Sequence, residues 1–240
     1  HTADVAQAPT EGAKLGVGLE QEEVRWAEMR ERIFGRIDEI SAGGRRYRVE
    51  DNPNVTVFEG HGRFTGQKEL TVETEAGVTT LTAEKFVIAA GGRPSIPDID
   101  GIDTIDYHTS DTVMRLAELP PRMVIMGTGF IGAEFAHIFS ALGVEVTMIG
   151  RSGRVLRSED TAISNRFTDL ATNRWDLRLN RKEISVQSDD GIISLHLEGP
   201  SGSEVVEAES LLIATGRVPN SDLLDVAASG IATDANGKIV

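Results

Sequence analysis

The feature that most constrains the fold is a strand, a glycine-rich turn, a helix and a second strand in direct succession between residues 122 and 149. The turn has the pattern GxGxxG, with Gly127, Gly129 and Gly132 at the three glycine positions. In such a unit the first glycine permits a tight turn, the second lets the backbone approach a pyrophosphate, and the third lets the helix pack on the strand. The pattern predicts a Rossmann-like domain that binds a dinucleotide. A purely structural turn, or a site for another cofactor such as S-adenosylmethionine, is the alternative.

The residues after the second strand indicate which dinucleotide is bound. An NADH site usually has Asp or Glu at the strand end, whereas this chain has no carboxylate there and continues with Arg151, Arg154 and Arg157. A guanidinium group suits a 2′-phosphate, which a carboxylate would repel. The segment 151–182 also carries eight basic and four acidic residues. We therefore predict NADPH, with a solvated basic loop as the alternative.

Composition excludes several classes of protein. Lys and Arg total 24 against 38 Asp and Glu, which gives a net charge of −14 and argues against a nucleic-acid-binding protein. With no cysteine, the chain has no disulfides, thiolate metal ligands or cysteine nucleophiles. No metal site, signal peptide or membrane span is predicted, and the expected location is the cytoplasm.

Hydrophobic patterning gives a coarse organisation of the remaining chain. We expect a loop at 1–18, a helix at 20–40 ended by Gly43-Gly44, and a connector at 93–121 that forms the domain boundary. Alternating or apolar runs predict strands, of which the second and third form a hairpin. These strands lie at 55–58, 70–75, 78–82, 86–90, 192–197, 203–209 and 211–216.

Three motifs recur in one known family: GxGxxGxE at 127–134, ATGRxPN at 214–220, and the strand end AAGGRP at 89–94, whose form matches the second. They resemble the motifs of the two-domain pyridine nucleotide–disulfide oxidoreductases, which are FAD-dependent. The segments 107–114 and 135–143 are most similar to one member that reduces a small-molecule disulfide. The resemblance implies an α/β fold with a partial FAD-binding lobe (1–121), an NADPH-binding lobe with a parallel sheet and a β-meander (122–217), and a return segment (218–240).

The resemblance also implies roles for individual residues. The turn would cradle the NADPH pyrophosphate, Phe130 would lie over the flavin, and Glu134 would lie near the nicotinamide. The alternatives are a core position for Phe130, a helix cap or salt bridge for Glu134, and simple turns for the two glycines assigned to FAD. The candidate cofactor-binding residues are Gly127, Gly129, Phe130, Ile131, Gly132, Glu134, Arg151, Arg157 and Gly216 for the pyridine nucleotide end, and Gly62 and Gly91 for FAD.

The sequence also departs from the family pattern. The first GxGxxG of the FAD lobe, the CxxxxC redox pair and the C-terminal interface domain are absent from these residues. We therefore expect an internal fragment without catalytic residues of its own, belonging to a homodimeric enzyme that passes hydride from NADPH through FAD to a disulfide substrate. Lipoamide dehydrogenase, mercuric reductase, transhydrogenase and a non-catalytic dinucleotide-binding module are the alternatives.

Overall fold

A computed structural model describes all 240 residues of the chain and contains five α-helices and thirteen β-strands. The helices are α1 (Thr2–Ala6), α2 (Ala8–Lys14), α3 (Trp26–Arg46), α4 (Phe130–Ala141) and α5 (Thr161–Ala171). The strands are β1 (His61–Gly66), β2 (Glu69–Thr74), β3 (Gly77–Thr82), β4 (Gly92–Pro94), β5 (His108–Thr109), β6 (Arg122–Met126), β7 (Glu145–Gly150), β8 (Asp176–Leu179), β9 (Lys182–Asp189), β10 (Ile192–Gly199), β11 (Gly202–Ala208), β12 (Ser210–Ile213) and β13 (Arg217–Pro219).

The chain forms two compact units. The first comprises His1–Arg30 and Pro94–Gly216, and the second comprises Glu31–Arg93 and Arg217–Val240. The sequence placed a boundary at 121/122, whereas the connector belongs to the first unit because Ile99, Ile102, Ile105 and Val113 are buried in its cores. The segment 94–216 begins and ends at one place, since the Ser95 N–H donates to the Gly216 carbonyl at 2.9 Å.

The first unit is built on a parallel sheet with the strand order β5-β12-β6-β7-β8. After Arg122, strand β6 is apolar and buried because both of its faces are covered. Its Met123 and Ile125 pack in one core with Phe139 of α4, and its Val124 and Met126 pack in a second core with the antiparallel meander β9–β10–β11. The predicted α/β class with a parallel sheet and a β-meander is confirmed.

The second unit holds the antiparallel meander β1–β2–β3 and the short pair β4–β13. The predicted hairpin is present, with β2 and β3 joined by a two-residue turn. Phe64 and Val72 are buried, while β3 is mostly exposed. Arg93 holds the return segment through a bidentate ion pair with Asp222, with N–O distances of 2.9 and 2.7 Å.

Four local predictions are wrong. Residues 55–58 and 86–90 form no strand, because no neighbouring strand pairs with them, and Val87 is 93% exposed. Helix α3 continues through Gly43-Gly44, since neither glycine adopts the left-handed conformation that commonly ends a helix. The segment 1–18 contains α1 and α2 rather than a loop, and α1 buries Ala3.

None of the five helices combines the length and the apolar character needed to cross a membrane.

Candidate functional site

A cavity of about 720 Å³ lies in the first unit, where β6, β7 and β12 end. Ligands of parallel α/β sheets bind beyond the carboxyl ends of the strands, so this is the expected place for a cofactor. Its lining residues are Ser95, Pro97, Asp98, Gly127, Thr128, Gly129, Phe130, Ile131, Ile149, Gly150, Arg151, Ser152, Arg157, Ser158, Glu183, Ala214, Thr215 and Gly216.

The three glycines of the turn differ in what surrounds them. Gly127 has φ +119°, and a Cβ there would lie 2.2 Å from the Ala214 carbonyl oxygen. A Cβ at Gly132 would lie 2.3 Å from the Gly127 carbonyl oxygen. A Cβ at Gly129 would have no atom within 4 Å. Gly127 and Gly132 are therefore required by the packing of the protein, whereas Gly129 leaves space that a ligand can fill.

Helix α4 presents an uncapped N-terminus to this space. No side chain hydrogen-bonds to its first turn, and the first backbone N–H with a helical partner is that of Ala133, which donates to Gly129. Helix α5 of the same unit is capped, since the Asp160 carboxylate accepts from two backbone N–H groups. Free N–H groups and the positive end of the helix dipole favour an anion. The α4 N-terminus can therefore bind a phosphate.

The arginines after β7 supply positive charge to the same cavity. Arg151 donates from Nε to the Glu183 carboxylate at 2.9 Å, whereas the guanidinium groups of Arg154 and Arg157 form no hydrogen bond or ion pair. Arg151 and Arg157 line this cavity, and Arg154 and Arg157 line an adjoining cavity of about 660 Å³. The loop is tied to the glycine turn, because the Leu156 N–H donates to the Thr128 carbonyl at 2.8 Å. The unpaired guanidinium groups can therefore bind an anionic group.

Most of the candidate residues for the pyridine nucleotide lie together. Seven of them line the cavity, and Gly132 lies beneath the turn. Phe130 is 63% exposed at the start of α4, so it is not a core residue. Glu134 is exposed on α4 and does not line the cavity. The seven are Gly127, Gly129, Phe130, Ile131, Arg151, Arg157 and Gly216.

The two glycines assigned to FAD lie in the second unit. Gly62 is in β1, where a Cβ would touch the Leu70 side chain at 3.4 Å. Gly91 is exposed with φ +66°, and its carbonyl accepts from the Asn220 N–H at 3.1 Å. Gly91 lies in a turn and has a left-handed backbone conformation that only glycine adopts readily. This conformation is compatible with either the structural or the FAD-binding interpretation.

Sequence reasoning missed several residues of the cavity. Thr128 lies inside the recognised motif, and a scan of the positions marked x would have found it. Ser95 and Asp98 follow the earlier strand end, whose similarity to the later one gave some signal. Glu183 follows Arg151 by 32 residues and lies in a strand that no pattern singled out, so nothing in the sequence marked it.

The fold and this site define a class of protein. The pyridine nucleotide-disulphide oxidoreductase family matches residues 5–240, and the chain belongs to that family. The predicted family is therefore confirmed.

Among the relatives of known function, mycothione reductase of Mycobacterium tuberculosis is 42% identical over the whole of this chain and 52% of its own length. It is the member that the segments 107–114 and 135–143 favoured. Mercuric reductase of Bacillus cereus is 35% identical over 79% of this chain and 30% of its own, and dihydrolipoyl dehydrogenase of Vibrio cholerae is 32% identical over 77% and 39%. The chain thus spans about half, or less, of these relatives.

A solved structure of the flavoprotein disulfide reductase RclA from Escherichia coli, a Cu(II) complex, has a TM-score of 0.79 to this chain. Its sequence is 25% identical, and the match covers 98% of this chain and 51% of RclA. The likeness extends over both units, so the fold of each has a counterpart in a disulfide reductase of this kind.

Proposed function

We propose that this chain is part of an FAD-dependent disulfide reductase that uses NADPH, and that its first unit binds the NADPH. The observation that carries the proposal is the coincidence, in one cavity, of an uncapped helix N-terminus, the unpaired guanidinium group of Arg157, and Arg151, of which only the Nε is engaged. The helix N-terminus and the arginines both favour phosphate, and the hydrogen bond from the Leu156 N–H to the Thr128 carbonyl holds the loop that carries Arg157 beside the turn that leads into α4. A dinucleotide with a 2′-phosphate has anionic groups for both.

The residues of the chain would act by binding and orienting the nucleotide. Gly129 and the first N–H groups of α4 would receive the pyrophosphate, because the space beside Gly129 is open. Arg151 and Arg157 would receive the 2′-phosphate. Phe130, exposed at the cavity, would lie over the flavin and give way to the nicotinamide, as the family resemblance suggests.

FAD would supply a redox centre between the nicotinamide and a cysteine pair. The second unit, with Gly62 and Gly91, is the part of the chain proposed to contribute to its binding. The 240 residues contain no cysteine, so the pair is proposed to lie outside them. The 42% identity to mycothione reductase supports a small-molecule disulfide as the substrate of the whole protein. A cytoplasmic location and a homodimeric assembly stay predictions.

The test is a paired calorimetric titration of the chain with NADPH and NADH. NADPH should bind more tightly, and Arg157→Ala should weaken NADPH about tenfold while NADH binding stays unchanged, since one charge-assisted hydrogen-bonding partner is worth ~1.5 kcal/mol. Arg166→Ala is the matched control, because Arg166 is an exposed, unpaired arginine of α5 outside both cavities. Equal binding of the two nucleotides, or an equal effect of both variants, would refute the NADPH proposal and favour an NADH-using member of the family.

A further inference from the structure

Glu183 is a carboxylate at a buried position. It lies in β9 and is only 4% exposed, and the neighbouring positions on this side of the meander are filled by Val186 and Leu197 of the apolar core. A carboxylate in such surroundings needs a partner, because removing the charge from water is costly. Its one partner is Arg151, whose Nε donates to Oε2 at 2.9 Å.

The pair is asymmetric. The Arg151 side chain is 63% exposed, while that of Glu183 is 3% exposed. Only the Nε of Arg151 is engaged, so its two Nη groups have no acceptor in the protein. The Glu183 Oε1 accepts no hydrogen bond either. It is not fully buried, because Ser210 Oγ is the sole buried side-chain polar atom that lacks a partner. Since Glu183 lines the cavity, Oε1 retains contact with it.

An exposed arginine samples many rotamers, and ordering it on binding a ligand is unfavourable in entropy. A strand-borne carboxylate that holds Nε restricts those rotamers before the ligand arrives. The negative charge of Glu183 also offsets part of the attraction of Arg151 for an anion. Any advantage that Glu183 gives to phosphate binding must therefore come from orientation, and the two effects can be separated by experiment.

We propose that Glu183 is a positioning residue for cofactor selection: it holds the Nε edge of Arg151 so that the Nη groups remain available to the 2′-phosphate. This inference rests on the proposed use of NADPH. It deepens that proposal by assigning the specificity to a pair on two separate elements, the loop after β7 and strand β9. Arg154 and Arg157 have no such anchor.

The test compares Glu183→Met, which removes the acceptor, with Glu183→Gln, which keeps an oxygen for the Arg151 Nε but removes the charge. The readout is the ratio of the dissociation constants of NADH and NADPH, measured by calorimetry on the same chain, with the melting temperature recorded for each variant. Glu183→Met should lower the ratio about tenfold, equivalent to ~1.4 kcal/mol, through weaker NADPH binding alone. Glu183→Gln should retain most of the selectivity. In the Arg151→Ala background, Glu183→Met should leave the ratio unchanged.

Other outcomes would overturn the inference. Tighter NADPH binding in both Glu183 variants would mean that the repulsion of the phosphate dominates. Equal weakening of both nucleotides, with a lower melting temperature, would mean that Glu183 has only a structural role. If Arg157→Ala lowers the ratio and Glu183→Met does not, the positioning role fails while the NADPH proposal stands. If neither Arg151→Ala nor Arg157→Ala changes the ratio, both proposals fail.

Discussion

Gly129 and Gly132 belong to one motif, yet the structure predicts opposite consequences for an added methyl group. In Gly132→Ala the Cβ would lie 2.3 Å from the Gly127 carbonyl oxygen, where ordinary contact begins at 3.4 Å, so backbone must move by about an ångström. Overpacking of this kind costs ~1–3 kcal/mol. For a unit of this size, each kcal/mol lowers the melting temperature by about 2–4 °C, which gives a fall of roughly 2–12 °C.

Gly129→Ala should not destabilise the chain. Gly129 has φ −78° and ψ −176°, which any residue adopts, and a Cβ would have no atom within 4 Å. Replacing a glycine in such a conformation stabilises by ~0.4–1 kcal/mol, and the poorer helix cap that Ala provides costs about 0.5–1 kcal/mol, so the two contributions nearly cancel. The methyl group would instead occupy the space proposed for the pyrophosphate. NADPH affinity should fall tenfold or more, as expected for a steric cost above ~1.4 kcal/mol.

The assay is thermal unfolding followed by circular dichroism, combined with calorimetric titration of the variants that remain folded. The two variants add the same atom within one turn, so each controls for the other. An unchanged melting temperature in Gly132→Ala would refute the packing argument. Wild-type NADPH affinity in Gly129→Ala would refute the assignment of this space to the pyrophosphate.

Three further predictions concern other elements. Asp160→Ala should destabilise the chain by ~1 kcal/mol because it removes the cap of α5, whereas Asp160→Asn should retain most of the stability; equal melting temperatures for the two variants would contradict this. Hydrogen bonds from Arg122 lower the pKa of Glu209 below its ordinary value of 4.5, so the stability that this pair contributes is present above about pH 4.5 and is lost as the pH falls through the lowered pKa. In Glu209→Gln the melting temperature should fall less steeply as the pH is lowered through the acidic range. An unchanged dependence on pH would argue against a contribution from the Arg122–Glu209 pair. Phe130→Ala should leave the melting temperature within about 2 °C of the wild type, since its ring is 63% exposed, and a larger fall would assign Phe130 to the core.

The sequence predicts β6, α4 and β7 to within a few residues because their signals are local. The apolar run, the glycine turn and the helical spacing each act over a few residues, and all indicate the same unit. The candidate residues of the GxGxxG turn, with Arg151 and Arg157, follow from that unit by position along the chain. Their placement beside one cavity is a consequence of the parallel sheet, which the pattern predicts.

The remaining features depend on distant partners. Residues 86–90 have the composition of a strand but remain unpaired, since a strand exists only with a neighbour to complete its hydrogen bonds. Gly43-Gly44 would end a helix if one glycine adopted positive φ, and the sequence does not determine whether it does. Glu183 was missed because its importance comes from Arg151, which the fold brings to it across separate elements.

The hydrogen bond between Ser95 and Gly216 bears on whether the segment between them can be exchanged between related proteins. Because the two ends of the segment 94–216 are hydrogen-bonded to each other, the residues on either side of it are brought as close together as a short turn would bring them. Domains with adjacent ends tolerate insertion and circular permutation well. The segment from Pro94 to Gly216 therefore has the geometry of an insert, and exchange with the matching segment of a relative would leave the host connections in place but would have to preserve the packing of Phe139 against Trp26.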